Sequence, residues 1–554
     1  MKQSGLPVSP PPRRAAGACR RRAALASLVA AGSALLFVGS ALVGLPAAAQ
    51  QPSTQGPTQA ELDRADTDTE SWLTLNKGYL GYRFSTLSQI NAGNAGSLKQ
   101  VCSFPLGQTG SFQNGPIVYD GMLYTTTGSS TFAIDSTTCE KRWQQNHKAP
   151  GGNNKGAAIA GGRVIRGTPD GHLLALDAKT GAVLWDRQVM DSTKGEFATA
   201  APLIWNDMVF MGKAGGDNGI RGEMMAFNAA DGEKIWSFHT IPAPFETGGN
   251  TWKNPASIEH GGGSLWTTFS LDRDAGLLLL PVGNPGPDFD NASRPGTNLF
   301  TNSLVALDAR TGSLKWWYQL IGPDDRDWDT SVVSAFDTDG GKLAAVAGKD
   351  GILHVVDRTS GNQVSAVPLV SQYLNTTGPV PGGSGIRICP IAAVQWNGPA
   401  YNPGTGLLYM NGIDWCAQAI KGPTPVYKAG QPYLGWANFY GTRDPVADAF
   451  GWINAIDPTL GAVAWRVKVP SIPLGGVVAT AGGLVITGLT DGTLLMLDAG
   501  TGAEVFRTNV GGAIGGGIIT YEAGGKQFIA VAAGDNNGTY QTKGQNTIVV
   551  LGLP

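Results

Sequence analysis

Between Asp324 and Asp329 the sequence sets four aspartates and one arginine into six residues, ending in Trp328-Asp329. Carboxylates at this density suit two kinds of chemistry. They hold a hard cation, which takes oxygen ligands, or one of them removes a proton from a substrate as general base. The plain reading is a loop of turn-forming charges. By that reading Asp324 and Asp325 are solvated, Arg326 is their local partner, Asp324–Asp327 is an approach loop, and Asp329 alone does chemistry. Other reactive patterns are missing from the sequence. The five histidines (His147, His172, His239, His260, His354) show no metal-ligand spacing and read as structural or surface residues, and no Ser-His-Asp arrangement or phosphate loop occurs.

The chain has 554 residues with a formal net charge of −2 and no long block of like charge. That argues against nucleic acid and anionic membrane as partners, since both demand a basic footprint. Arg13, Arg14 and Arg20–Arg22 precede an apolar run from Ala23 to about Leu45, and Pro46-Ala47-Ala48-Ala49-Gln50 follows. This order reads as an export signal cut near Ala49, leaving residues 50–554 as one soluble domain in the periplasm or outside the cell. An uncleaved anchor is the alternative, because the run is long enough to span a bilayer. Four cysteines follow the signal, Cys102, Cys139, Cys389 and Cys416. An even count in an exported chain favours disulfides. Proximity suggests Cys102–Cys139 and Cys389–Cys416, although four cysteines allow three pairings. No CxxCH is present, so the expectation is a chain with no covalent haem.

The element that must position the acidic run is a repeat. Seven phrases share two apolar residues, Asp or Asn, a polar turn, usually Gly, and then a strand bearing an aromatic. They are Phe132–Trp143, Ala175–Trp185, Ala226–Trp236, Ala306–Trp316, a degenerate Val355–Ser365, Ala455–Trp465 and Met496–Phe506. Their Asp/Asn positions are separated by 42, 51, 80, 49, 100 and 41 residues. Each phrase reads as strand, Asx turn, strand, and a period of about 40–50 residues suits a four-stranded propeller blade. Tyr401–Met410 fits a further hairpin inside the longest gap. The expectation is an all-β, eight-bladed propeller closed by pairing Thr547–Leu551 with the segment Leu98–Phe104. The alternative is two packed β-sandwiches.

The phrase AxDxxTGxxxW resembles the repeat signature of the pyrroloquinoline quinone (PQQ)-dependent alcohol dehydrogenases of the methanol and ethanol dehydrogenase type. The resemblance extends over nearly the whole mature chain, including Ser71–Val101, Pro425–Gly435 and Ala479–Gly492. It implies PQQ and Ca2+ on the propeller axis. Asp217, after Gly215-Gly216, then matches an acidic metal ligand that is usually Glu. Asn284 in Val282–Pro287 (VGNPGP) matches the asparagine ligand, and Asp329 matches the catalytic aspartate, which also binds metal. Trp266 matches the tryptophan on which the cofactor stacks. Lys349 in Gly348-Lys349-Asp350-Gly351 matches the basic residue facing the quinone oxygens. Gln113, Thr199, Gly215 and Gly216 align with further cofactor contacts, Gln395-Trp396 stands where Asn-Trp is usual, and Lys155 where Arg is usual.

Several departures accompany the match. Many members carry two adjacent cysteines ahead of the segment matching Asn154-Lys155-Gly156, where this chain reads Lys148–Asn153 without one. Leu474 occupies a common tryptophan position, which implies a looser cofactor lid. Ser331 stands where lanthanide-using members place an extra aspartate, which favours calcium. The implied reaction is oxidation of an alcohol to an aldehyde or ketone, with electrons leaving to a separate cytochrome c or quinone. A homodimer is compatible with such a chain. Two rivals remain: a non-catalytic propeller scaffold for envelope protein assembly, and a dehydrogenase of polymeric or bulky secondary alcohols such as polyvinyl alcohol, for which loss of a tryptophan at Leu474 would widen the entrance.

Overall fold

A computed structural model describes residues 51–554 apart from Gln55, Pro150, Asp535 and Asn536. The proposed export signal lies outside the described residues. Eight sheets of four or five strands follow one another along the chain, most pairing in sequence order and almost entirely antiparallel, and a ninth, three-stranded sheet consists of Ile386–Ile388, Ala417–Ala419 and Thr442–Arg443. The first comprises Ile117–Tyr119, Met122–Thr126, Ser130–Asp135 and Lys141–Asn146. The second comprises Ala158–Ala160, Arg163–Gly167, His172–Asp177 and Val183–Gln188. Sheets three to seven begin at Leu203, Ser270, Ser334, Ala400 and Val478. In the eighth, Ile518–Ala523, Lys526–Ala533 and Thr547–Gly552 take their outer strand, Lys99–Pro105, from the start of the chain. The expected closure is therefore present. The hairpin expected at Tyr401–Met410 is also present, with Ala400–Asn402 pairing Leu407–Asp414. No helix among the described residues is long and apolar enough to cross a membrane.

The repeated phrase explains why one sheet stacks on the next. In the second sheet the Asp177 carboxylate accepts from the amides of Lys179 and Thr180, closing the Asx turn. Gly181 follows at φ +74, and a Cβ there would sit 2.6 Å from the Trp143 ring of the first sheet. That tryptophan also donates its indole N–H to the Ala178 carbonyl, 3.0 Å away. The same docking recurs with Trp185 on Ala229 and Gly232, Trp236 on Ala309 and Gly312, and Trp465 on Ala499 and Gly502. Each phrase thus supplies a turn to the sheet before it and an aromatic to the sheet after it. In the degenerate fifth phrase Ser365 replaces tryptophan, yet its hydroxyl donates to the equivalent carbonyl of Pro458.

In the first phrase Cys139 stands in the glycine position and adopts φ +60. It is bonded to Cys102 on the closing strand, so one disulfide fastens the eighth sheet to the first. The second disulfide joins Cys389 and Cys416. Both pairings agree with sequence proximity. The interior is apolar on both faces of the inner strands, while fourth strands such as Lys141–Asn146 alternate exposed and buried residues.

Candidate active site

The connection entering the first strand of each sheet carries a residue about four positions ahead of that strand. In sheets one to four these are Gln113, Lys155, Thr199 and Trp266, and in the fifth and sixth they are Asp329 and Trp396. Three further residues lie in the connections from second to third strand: Asp217 in the third sheet, Asn284 in the fourth and Lys349 in the fifth. In an antiparallel sheet those two kinds of connection lie at the same end. All nine, with Gly215, Gly216 and Gln395, therefore gather at one end of the sheets. A cavity of about 440 Å³ is lined by every one of them except Asn284, which lies just behind its wall and is 1 % exposed.

Asp329 is fixed by backbone. Its carbonyl accepts the Lys349 amide, and Thr330 bridges Gly348, so the Lys349 side chain stands over its own. One carboxylate oxygen accepts the Asn284 amide at 2.9 Å, and the other lies 2.7 Å from the Lys349 ammonium. A Cβ at Gly283 would stand 2.5 Å from that first oxygen, so glycine is required for this approach. Lys349 also pairs with Asp327 at 2.8 Å. Burial alone would lower Lys349, but Asp327, Asp329 and Asp217 together hold it well above the ordinary lysine range. Asp217 sits on a short turn, Gly216–Asn218, entered through Gly215 at φ +111, and accepts the Tyr440 hydroxyl at 2.7 Å. Burial and the neighbouring Asp217 push Tyr440 upward.

The adjoining wall is aromatic and cationic. The Lys155 ammonium is 4.8 Å from the Trp266 ring centroid and 5.9 Å from that of Trp396. Lys349 is 5.6 Å from Trp266. Burial lowers Lys155 from 10.5 to about 7, although Asp329 pulls it back upward. Thr199 donates to the Trp266 carbonyl, and Trp396 to that of Gly515, which holds both rings in place.

Several buried polar atoms have no hydrogen-bond partner: Asn284 Oδ1, Gln113 Oε1 and both carboxylate oxygens of Asp288. Asp288 is fully buried, and burial followed by Asp217, Asp327 and Asp329 raises it well above the usual carboxylate range. Orphaned oxygens of this kind cost roughly 1–3 kcal/mol each unless a ligand satisfies them. The set is all-oxygen and suits a hard cation. A flat, acidic ligand suits the adjacent aromatic faces and two ammonium groups.

Sequence reasoning missed Asp288, Asp327 and Tyr440. The signal for Asp288 was its place directly after the VGNPGP turn; nothing marked Tyr440. One reading is corrected. Asp324 and Asp325 are 2 % and 6 % exposed and not solvated. Asp324 caps the amides of Arg326 and Trp328 and accepts from Asn302, and Asp325 pairs with the buried Arg326, so this carboxylate pair braces the loop that presents Asp329. Leu474 is buried against Trp396 and Trp415 and does not line the cavity.

Comparison with known proteins places this geometry. Residues 72–382 match the family model described as glucose/ethanol/alcohol dehydrogenase, beta-propeller domain, and residues 449–547 match that of outer membrane protein assembly factor BamB. The chain is 33% identical over 519 residues to the quinoprotein alcohol dehydrogenase PedH of Pseudomonas putida, covering 83% of this chain and 86% of that one. A quinohemoprotein alcohol dehydrogenase, ADHIIG of Pseudomonas putida HK5, superposes with a TM-score of 0.82 at 27% identity, over 89% of this chain and 82% of that one. A europium-containing methanol dehydrogenase superposes with a TM-score of 0.79 at 25% identity, over 89% and 100%. With the matched model spanning more than half its length and the likeness running through every sheet that lines the cavity, the chain belongs to the quinoprotein alcohol dehydrogenase family of PQQ β-propellers.

Proposed function

We propose that this protein oxidises an alcohol to an aldehyde or ketone with PQQ and Ca2+ bound in the cavity. The observation that carries the reading is the pairing of unpartnered buried oxygens at Asn284 and Asp288 with the Asp329–Lys349 pair beside the Trp266 face. Asp217, Asn284 and Asp329 would hold the cation, with Asp288 adding charge from behind. Trp266 would support the ring system, and Lys155, Lys349, Gln113, Thr199, Gly215, Gly216, Gln395 and Trp396 would surround it. When bound, PQQ supplies an electrophilic carbonyl that takes the hydride of the alcohol, and Ca2+ polarises that carbonyl.

The chain's own residues do the rest. Asp329 accepts the hydroxyl proton as general base. The Asn284 amide fixes one of its oxygens and directs the other toward the cavity. Lys349, kept charged by its three acidic neighbours, offers a donor where negative charge develops. Trp266, Trp396 and Trp415 exclude water around this point. Ser331, 1 % exposed, supplies no carboxylate at the position where lanthanide-using members have one, which supports calcium. Electrons then leave to a separate acceptor, a cytochrome c or a quinone.

The same reading takes the eight sheets as eight blades of one propeller, residues 50–554 as one exported domain and residues 1–49 as its signal. The BamB match covers residues 449–547, which hold none of the proposed metal ligands, so the site residues favour an enzyme over a scaffold. The test is reconstitution. Protein stripped of metal and cofactor should oxidise alcohols with an artificial dye only after PQQ and Ca2+ are both added, and Eu3+ should not replace Ca2+. Absence of any cofactor spectral change on titration would refute the assignment.

A further inference from the structure

Outside the cavity, His147, Asp170 and His172 converge where the first sheet meets the second. His147 follows the outer strand Lys141–Asn146, while Asp170 and His172 close the turn between Arg163–Gly167 and His172–Asp177. The ligand-capable atoms of all three lie within 4.8 Å of one another. His147 Nε2 is 2.9 Å from Asp170 Oδ2, and His172 Nε2 is 3.9 Å from the same oxygen. These separations bracket the roughly 3.3 Å between ligand atoms that a tetrahedral ion at about 2.0–2.1 Å would set.

The surroundings are those of a built site. His172 bonds Asp186 at 2.6 Å through Nδ1, which leaves Nε2 facing the cluster. A carboxylate on the far nitrogen is the usual way a metal-binding imidazole is oriented. Thr168 donates to the other oxygen of Asp170. Side-chain exposures of 13%, 26% and 21% for His147, His172 and Asp170 leave a path for an ion. The nearby Arg166 is spent on the carbonyls of Ser130, Gly128 and Gly167 and does not fill the gap.

The geometry points to a second metal site, in which His147, Asp170 and His172 bind a divalent ion of the zinc and copper class, with Asp186 orienting His172. Two imidazoles select such ions over calcium, which prefers oxygen. Two carboxylates, one ligating and one behind, offset the charge of a divalent ion. The consequence is local: the ion would clasp the two sheets at the start of the segment from His147 to Lys155, whose far end, Asn153 and Lys155, lines the cavity.

The test uses the full chain loaded with Ca2+ and titrated separately with Cu2+ and Zn2+. Electron paramagnetic resonance of one copper equivalent should show splitting from two nitrogens, which the oxygen-only central site cannot produce. His172→Gln should remove one nitrogen and weaken zinc binding at least tenfold, and His147→Gln/His172→Gln should abolish both signals. Asp186→Asn, which leaves all three ligands in place, should weaken zinc about 10–100-fold. Copper without nitrogen splitting in the wild type, or zinc bound equally by wild type and Asp186→Asn, would overturn the proposal.

Discussion

Lys155 allows the cofactor proposal to be tested by counting protons. Its side chain is 1 % exposed and lies between two tryptophan faces. Burial holds its pKa near 7 against an ordinary 10.5. At pH 8 the cofactor-free protein therefore carries the ammonium in roughly a tenth of molecules. A ligand bearing several carboxylates, stacked beside it, returns the pKa toward its ordinary value. Binding at pH 8 should then take up about 0.9 proton at this residue. Calorimetric titration of calcium-loaded protein with PQQ, in buffers of different ionisation enthalpy, measures that number. Lys155→Arg stays charged throughout and should lose this uptake, so the wild-type minus variant difference is the quantity of interest. The same shift has a stability sign. Because the folded pKa is depressed, the unfolded chain binds the extra proton between about pH 7 and 10.5. Cofactor-free protein should gain stability as pH rises through that window, by up to ~5 kcal/mol at about 1.36 kcal/mol per pKa unit, and Lys155→Met should flatten the rise. Equal proton uptake by wild type and Lys155→Arg would refute the reasoning.

Three further outcomes follow from the same geometry. Asp329→Asn should cut turnover by about 10²–10⁴-fold while the spectral change on PQQ binding persists; wild-type turnover in the variant would remove Asp329 from its role. Asp288 is a carboxylate raised by burial and by Asp217, Asp327 and Asp329, so its ionised form opposes folding of metal-free protein at neutral pH. Asp288→Asn should melt higher than wild type in chelator yet gain less from added Ca2+, and a variant that melts lower under both conditions contradicts this. Replacing Cys389 and Cys416 by serine opens a loop of sequence separation 27, which costs about 3.5 kcal/mol by chain entropy. The loss should appear in urea unfolding, with reduced PQQ affinity because Ile391 and Trp415, adjoining the bridge, line the cavity.

The fold was readable because every sheet solves the same packing problem with the same residues. Asp177, Gly181 and Trp143 show it: turn closure, close approach and an aromatic that fills the approach. Asp329 and Asn284 were readable because each lies in a short motif whose neighbours have separate duties, Gly283 for close approach and Thr330 for pairing. Asp288 was not. The run Asp288-Phe289-Asp290 looks like an exposed turn, and only the fold shows it buried beside Asp217 and Asp329 from other sheets. Asp324 misled for the reverse reason, since its carboxylate is consumed by local amides. His147 and His172 are far apart in sequence, and their meeting depends on which sheet rims face each other, which hydrophobic period does not encode.

The charge at the acidic end of the cavity favours a binding site over a scaffold. Asp217, Asp288, Asp327 and Asp329 face Lys155 and Lys349. With these six groups ionised their balance is −2, while Arg326, paired with Asp325, and Arg443 also line the cavity. Lys349 alone already contacts two of the four carboxylates. A protein with no ligand to bind has a cheaper arrangement open to it, because an amide or hydroxyl at position 288 or 327 would remove repulsion that burial intensifies. The excess persists at the point where Asn284 presents an unpartnered oxygen. A divalent cation cancels that balance and satisfies the oxygen together, whereas a third lysine would cancel only half of it and supply no Lewis acid.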